Sequence, residues 1–200
     1  MEQRSKEWFE IRRGKATASK FGVLMAVRGL GKAADDYALE IAGHDKINIF
    51  EEQIQTQAMR EGMELEPYAI SYYELENICK VNPVGFVSHP TIKTLGGSPD
   101  GLVGEDGGVE VKCPKQTKHL SNLVSEKCPA EYLDQIQGCM FITGRKWWDF
   151  VSYNPNFKEG SQLKIIRVYP DLEWQEKFKT RVSEFEKLVS NYSIKLNQVN

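Results

Sequence analysis

Gly96-Gly97-Ser98-Pro99-Asp100-Gly101, followed shortly by Gly107-Gly108-Val109-Glu110-Val111-Lys112-Cys113-Pro114, reads as a short strand, a glycine-rich turn and a second strand. In the second strand Val109, Val111 and Cys113 alternate with Glu110 and Lys112. Side chains at i and i+2 share one face of a strand, so the apolar trio enters a core while Glu110 and Lys112 project together from the other face. The Gly104-Glu105-Asp106-Gly107-Gly108 connection is a hairpin signal. A turn centred near Glu105 sets Asp100 almost opposite Glu110. Two carboxylates and an ammonium then converge on one spot, which suits a divalent metal and an attacked phosphate.

Outward from this hairpin, helical and extended patterns follow one another. On the N-terminal side, Ser5 caps a predicted helix to about Arg13 that stops at Gly14. Thr17 or Ser19 starts a second short helix, Arg28-Gly29-Leu30-Gly31-Lys32 is a loop, and 33–42 is helical. A longer helix over about 51–78 is expected to break near Gly62 and restart at Glu66-Pro67, where proline suits a first turn. Val81–Ser88, Leu95–Val103 and Gly108–Cys113 form an expected three-strand meander ended by Pro114. Beyond it come a helical stretch over 115–127, a helix over 130–143 capped by Gly144, strands over 147–153 and 162–169, and an amphipathic helix over about 172–196. This order implies an α/β or α+β layout with a mixed central sheet flanked by helices, in one domain spanning 1–200.

The chain of 200 residues, 40% hydrophobic and 27% charged, is long enough for one sizeable core. Its apolar runs are too short to span a membrane, and its first residues lack the plan of a signal peptide, so a soluble, cytoplasmic protein is expected. Cys79, Cys113, Cys128 and Cys139 show no CxxC pair and no metal-ligand spacing, and reduced thiols are expected. The net charge of −2 does not announce a nucleic-acid binder, but Arg4, Lys6, Arg12, Arg13, Lys15, Lys20, Arg28 and Lys32 make the N-terminal region locally basic.

Phosphodiester cleavage needs an in-line water, neutralised charge on the non-bridging oxygens and help for the leaving oxygen. One or two Mg²⁺ ions held by carboxylates supply these, with Mn²⁺ as a substitute. Asp100 and Glu110 are the candidate ligands, aided by the main-chain carbonyl of Val111, and Lys112 would orient or deprotonate the attacking water. Gln135, on the helix after the lysine strand, can reach into such a site, although a solvated helical glutamine looks the same in sequence. Glu66 could join the metal or simply suit the helix dipole. Trp8 and Arg12 stand four apart on the first helix; Arg12 can fork onto a terminal phosphate, with Ser19 at a helix N-terminus donating to the same anion. Their plainer readings are a surface ion pair and a cap.

Trp8-Phe9-Glu10-Ile11-Arg12-Arg13-Gly14-Lys15-Ala16-Thr17-Ala18-Ser19, Gly97-Ser98-Pro99-Asp100-Gly101-Leu102, Glu110-Val111-Lys112-Cys113-Pro114, Gln135-Ile136-Gln137 and Trp147-Trp148-Asp149-Phe150-Val151-Ser152-Tyr153-Asn154-Pro155 stand in the order seen in one family. The chain resembles the lambda exonuclease family, the phage alkaline exonucleases or YqaJ-type viral recombinases of the PD-(D/E)xK nuclease superfamily, from Trp8 to about Asp171. The resemblance implies a restriction-endonuclease-like core and Mg²⁺-dependent 5′-to-3′ digestion of one strand from double-stranded DNA ends, leaving a 3′ overhang. It also implies a ring-shaped homotrimer, a single-strand annealing protein as partner, and a phage or prophage gene acting in the bacterial cytoplasm.

Carried over by position, Asp100 and Glu110 become metal ligands and Lys112 the catalytic lysine. Gln135 and Glu66 become supports of the active site, Arg12 the 5′-phosphate reader, and Ser19 and Ser98 nearby polar contacts. In one departure, the family has an extra acid ten residues before its motif aspartate, where this chain has Pro90 preceded by His89. A separate ligand for a second metal is therefore unassigned, with His89 a weak substitute. Other readings remain open at this level: an endonuclease or Cas4-like nuclease of the same superfamily, or a catalytically idle module that binds DNA ends. The scattered cysteines argue against a Cas4-like iron–sulfur cluster, and the intact Asp100, Glu110 and Lys112 against an idle module.

Overall fold

The structure, a computed structural model, describes residue 3, residues 5–47 and residues 56–199. Arg4 and the expected helix start over 51–55 lie outside the described residues. The N-terminal part comprises helix Lys6–Arg12 (α1), strand Ala16–Thr17 (β1), helices Phe21–Leu24 (α2), Lys32–Gly43 (α3) and Gln57–Asn77 (α4). Five strands follow: Val81–Asn82 (β2), Val87–Ser88 (β3), Leu95–Gly97 (β4), Gly101–Val103 (β5) and Gly107–Lys112 (β6). Helices Gln116–Val124 (α5) and Ala130–Thr143 (α6), strands Trp147–Tyr153 (β7) and Leu163–Val168 (β8) and helix Leu172–Asn197 (α7) complete the chain.

Two mixed sheets flanked by helices result. One has the order β2-β5-β6-β7-β8 and the other β1-β4-β3. Within the larger sheet only β6 and β7 run parallel, so the hairpin strand carrying Glu110 and Lys112 is central. Its apolar alternation behaves as the pattern requires. Val109, Val111, Val151 and Tyr153 pack with Ala69 and Tyr73 of α4 on one face. Trp148, Phe150 and Ile166 pack on the other with Ile136, Cys139 and Met140 of α6 and with Phe178, Val182 and Phe185 of α7. The paired glycines opening β6 have a packing cause. A Cβ on Gly107 would lie 2.0 Å from the Trp147 ring, and one on Gly108 2.3 Å from the Trp148 ring.

Three expectations are corrected. The three-strand meander is broken: Leu95–Val103 divides into β4 and β5 at Ser98-Pro99-Asp100, and Val81–Ser88 divides into β2 and β3 after Pro83. Proline has no N–H for a ladder, so each strand leaves its sheet there. The long helix is not interrupted, because α4 runs through Gly62 and Pro67. Exposed Pro67 forfeits one backbone bond, while the face bearing Ala69 and Tyr73 stays packed. Thr17 does not open an α-helix directly; it pairs in β1 with Gly96 and is followed by a 3-10 turn over Ala18–Lys20.

The remaining ends match their local signals. The Ser5 hydroxyl accepts from Trp8 N–H, Asp171 accepts from Trp174 N–H, and Gly144 closes α6 in the left-handed region at φ 67°. Asp149, buried in β7, accepts from the Tyr73 hydroxyl at 2.7 Å and from Arg167 Nε and Nη2 at 2.8 and 2.9 Å. That cluster fastens α4 to the sheet. Glu66, two turns before Tyr73, therefore lies on the helix side turned to β6.

Candidate active site

β5 and β6 pair with Gly101 opposite Val109, so one step outward Asp100 faces Glu110, as the hairpin spacing requires. The Asp100 carboxylate is fixed by the Val111 main-chain N–H, which donates to Oδ2 at 2.7 Å. Lys112 Nζ lies 2.5 Å from Glu110 Oε1, and the Gln135 side-chain amide donates to that same oxygen at 2.7 Å. Glu110 is fully buried, and its other oxygen, Oε2, has no hydrogen-bond partner among the described residues. Glu66 is half-buried on α4 and close enough for its charge to act on Asp100. The chain thus brings together Asp100, Glu110, Lys112, Gln135 and Glu66 from the β5–β6 hairpin, α6 and α4.

These charges reshape one another. Burial, then Glu110 and Glu66, push the Asp100 carboxyl well above the usual carboxylate range, against the opposing pull of Lys112 and the Val111 amide. For Lys112, burial works against the ammonium, but Glu110 and Asp100 together outweigh it and hold the proton on more tightly than usual. In this state Lys112 is a cation that donates hydrogen bonds rather than a base. The neighbouring Cys113 thiol is pushed up to about 12, chiefly by burial, and is not a nucleophile near neutral pH.

The donor set suits a hard cation. A buried carboxylate oxygen without a partner, beside a second carboxylate whose proton affinity is raised, marks a place where positive charge would be stabilising. Among the described residues no group of three or more His, Cys, Asp or Glu side chains is arranged to hold a metal. A cation here would rest on Asp100, Glu110 and non-side-chain oxygens. Mg²⁺ and Mn²⁺ are bound in that way, through one or two carboxylates with water.

A second cluster adjoins the first through the Ser98-Pro99-Asp100 bend. Trp8 Nε1–H donates to Ser98 Oγ at 2.8 Å, and Arg12 donates to the same oxygen at 3.2 Å. The Arg12 guanidinium lies 3.9 Å from the Trp8 ring centroid, and desolvation lowers its pKa. No described carboxylate forms an ion pair with Arg12; its hydrogen-bond partner is the neutral Ser98. A desolvated arginine beside a hydroxyl, with no anion of its own among the described residues, is a receptor for one.

Ser19 makes no direct hydrogen bond to Ser98 or Arg12. It is exposed inside the Ala18–Lys20 turn, its hydroxyl is 3.4 Å from that of Thr17, and the four-residue α2 that follows is capped at Lys20. The Nδ1 of His89 accepts from the N–H groups of Thr91 and Ile92, and the ring stacks on Phe141, so that nitrogen is not open to a metal. The cysteines are four separate free thiols, with Cys128 and Cys139 buried, so no cluster of the Cas4 kind forms. Three residues escaped the sequence reading. Tyr132 stacks on Phe150 and lies 5.3 Å from Lys112 Nζ; its place one turn before Gln135 was the available signal. Phe86 flanks Arg12, and Gln3 bridges the carbonyls of Val84 and Pro99; no local pattern marks either.

Comparison with known proteins bears on the family and the fold. Residues 7–146 match the YqaJ-like viral recombinase domain. An alkaline exonuclease (LHK-Exo) from Laribacter hongkongensis is 33% identical, with a TM-score of 0.84 over 98% of this chain and 100% of that one. The same enzyme in complex with dAMP matches at 34% identity and the same TM-score. A phage-related exonuclease from Haemophilus somnus shares the fold, with a TM-score of 0.71 over 93% of this chain and 96% of that one, at 16% identity. Protein R354 of Acanthamoeba polyphaga mimivirus is 25% identical over 164 residues, which span 75% of this chain but 29% of that protein. With the exonuclease-like PD-(D/E)xK fold and its match over most of the sequence, the chain belongs to the YqaJ-like viral recombinase domain family.

Proposed function

We propose that this protein is a nuclease acting on DNA, and more finely a Mg²⁺-dependent exonuclease that digests one strand of linear duplex in the 5′-to-3′ direction. The observation that carries the reading is the pair of adjoining sites on one bend. Ser98 meets an arginine that has no described anion, and two residues on, Asp100 meets Glu110 and Lys112. An end-reading pocket joined to a cleaving site is what distinguishes an exonuclease from an endonuclease. Similarity to the Laribacter enzyme, an alkaline exonuclease with a dAMP complex, supports the same class.

The chain's own groups have definite roles in this reading. Ser98 Oγ accepts from both Trp8 and Arg12, so its own proton is left to donate to a terminal 5′-phosphate, which Arg12 grips by its fork. The next phosphodiester then faces Asp100, Glu110 and Lys112. The Lys112 ammonium neutralises a non-bridging oxygen and orients the attacking water. Gln135 fixes the rotamer of Glu110, and Glu66 adds negative charge near Asp100. A Mg²⁺ or Mn²⁺ ion held by Asp100 and Glu110, with the Val111 carbonyl, would supply a Lewis acid that polarises the phosphate. One ion fits these ligands; Pro90 and His89 provide no acid for a second.

The reading extends, on the resemblance to the lambda exonuclease family alone, to a homotrimeric ring around the duplex and a single-strand annealing protein that takes the 3′ overhang, in a phage-infected or lysogenic bacterial cytoplasm. No described helix is long and apolar enough to cross a membrane. The test is digestion of linear duplex with and without a 5′-phosphate, beside a covalently closed circle, with and without Mg²⁺. Phosphorylated linear DNA is expected to be degraded fastest and the circle to survive; nicking of the circle at the linear rate overturns the exonuclease reading. Light scattering is expected to give three times the 22.8 kDa chain mass, and a monomer would remove the ring.

A further inference from the structure

Two aromatic rings lie near the Arg12 guanidinium. Trp8, one helical turn before it, approaches to 3.9 Å, and Phe86, from the loop between β2 and β3, to 5.7 Å. Both lie within the range at which a ring face attracts a cation. The two rings are held differently. Trp8 is pinned through its indole N–H to Ser98. The Phe86 side chain has no polar atom, and its position is set by shape alone.

That shape is supplied by Gly96. A Cβ there would lie 2.1 Å from the Phe86 ring Cζ and 2.5 Å from Cε1, so the ring occupies the space that any other residue would fill. Gln3 ties the same loop to the site, donating to the carbonyls of Val84 at 3.2 Å and Pro99 at 2.9 Å. Phe86 therefore reaches Arg12 from a loop tethered beside Ser98. An arginine grips a phosphate through the plane of its fork, and an unsupported long side chain leaves that plane undefined.

We propose that Phe86, seated over Gly96, is a specificity-determining wall of the 5′-end pocket, which with Trp8 orients the Arg12 fork toward an anion held at Ser98. This rests on Arg12 being the reader of the terminal phosphate. Phe86 acts through Arg12, so it is a positioning residue. Gly96, conspicuous in sequence beside Gly97, serves the same pocket, because its missing side chain is the seat of that wall.

The experiment compares initial rates on linear duplex carrying 5′-phosphate or 5′-hydroxyl ends, for the full chain and its variants with Mg²⁺. Phe86→Leu is expected to lower the phosphate-to-hydroxyl rate ratio by about 3–10-fold, the effect of losing one cation–aromatic contact at a partly desolvated site. Phe86→Tyr is expected to keep the ratio, because the ring face remains, and Gly96→Ala to lower it by displacing the ring. Phe86→Met replaces Phe86→Leu if the latter does not fold. An unchanged ratio in Phe86→Leu or Phe86→Met, while Arg12→Ala abolishes the preference, overturns the role of Phe86 alone. Equal losses on both kinds of end, with the ratio constant, do the same and mark Phe86 as packing. An unchanged ratio in Arg12→Ala overturns the phosphate-reading role of Arg12 itself.

Discussion

The side-chain amide of Gln135 donates to Glu110 Oε1 at 2.7 Å, so the second turn of α6 is bound to a buried carboxylate in the central strand. Removing that donor leaves Lys112 as the one described partner of Oε1 and frees the rotamer of a fully buried acid. A hydrogen bond to a charged group contributes about 1.5–3 kcal/mol. Gln135→Ala is therefore expected to slow DNA cleavage by roughly 10–100-fold in protein that remains folded by circular dichroism. Gln135→Glu should be slower still, since it sets a second carboxylate against the first. Full activity in folded Gln135→Ala would remove Gln135 from the site.

Asp100 links the candidate site to stability. Its carboxyl is held above the ordinary range by burial and by Glu110, so the folded chain binds this proton more tightly than the unfolded chain does. The associated stability is fully present below the unfolded pKa, about 3.9, and is lost as pH rises through the raised folded value. In EDTA, Asp100→Asn is expected to abolish cleavage yet to melt higher than the unsubstituted chain at neutral pH, with the gap closing toward pH 4. A gap that widens on acidification contradicts the burial of this charge.

Ile78 ends α4 in the left-handed region at φ 49°, and it is 95% exposed. A β-branched side chain is strained there and gains almost nothing from packing. Ile78→Gly is expected to raise stability by about 1 kcal/mol, read as a higher urea midpoint with an unchanged slope. Cleavage should be unaffected, and a lower midpoint would show that the strain is absent.

Gly108 opens the strand that carries Glu110, with the Trp148 ring where a side chain would stand. Gly108→Ala forces a 2.3 Å contact between its Cβ and a fully buried indole. Overpacking of this kind costs about 1–3 kcal/mol. A melting temperature several degrees lower, with a parallel loss of cleavage as β6 shifts, is the expected result. A melt identical to that of the unsubstituted chain would mean that Trp148 relaxes freely.

Elements governed by near neighbours were legible. The alternation in β6 assigned Val109 and Val111 to one face and Glu110 to the other, and the glycine-rich turn set the register that brings Asp100 opposite Glu110. Ser5 and Gly144 bounded helices through local backbone chemistry. Expectations that assumed local continuity did not hold. Pro99 split a strand between two sheets, whereas Pro67, on an exposed helix face, broke nothing. The same residue type acted oppositely because a strand's ladder depends on its neighbours, while a helix loses one internal bond.

The sequence by itself determined the hairpin that gathers the acids and the lysine, because Asp100, Glu110 and Lys112 are close along the chain and strand geometry dictates where each side chain goes. It also offered Arg12, but not its surroundings. Arg12 meets Ser98 across 86 positions, Gln3 meets Pro99 across 96, and Phe86 finds its seat only where Gly96 is brought beneath it. Ser19, close to Arg12 in sequence, sits exposed in a short 3-10 turn with its hydroxyl near that of Thr17. Contacts between distant segments depend on how the sheets and helices pack, and no local periodicity encodes them. The convergence of Asp100, Glu110 and Lys112 was legible in one hairpin; the surroundings of Arg12 were decided by the tertiary fold.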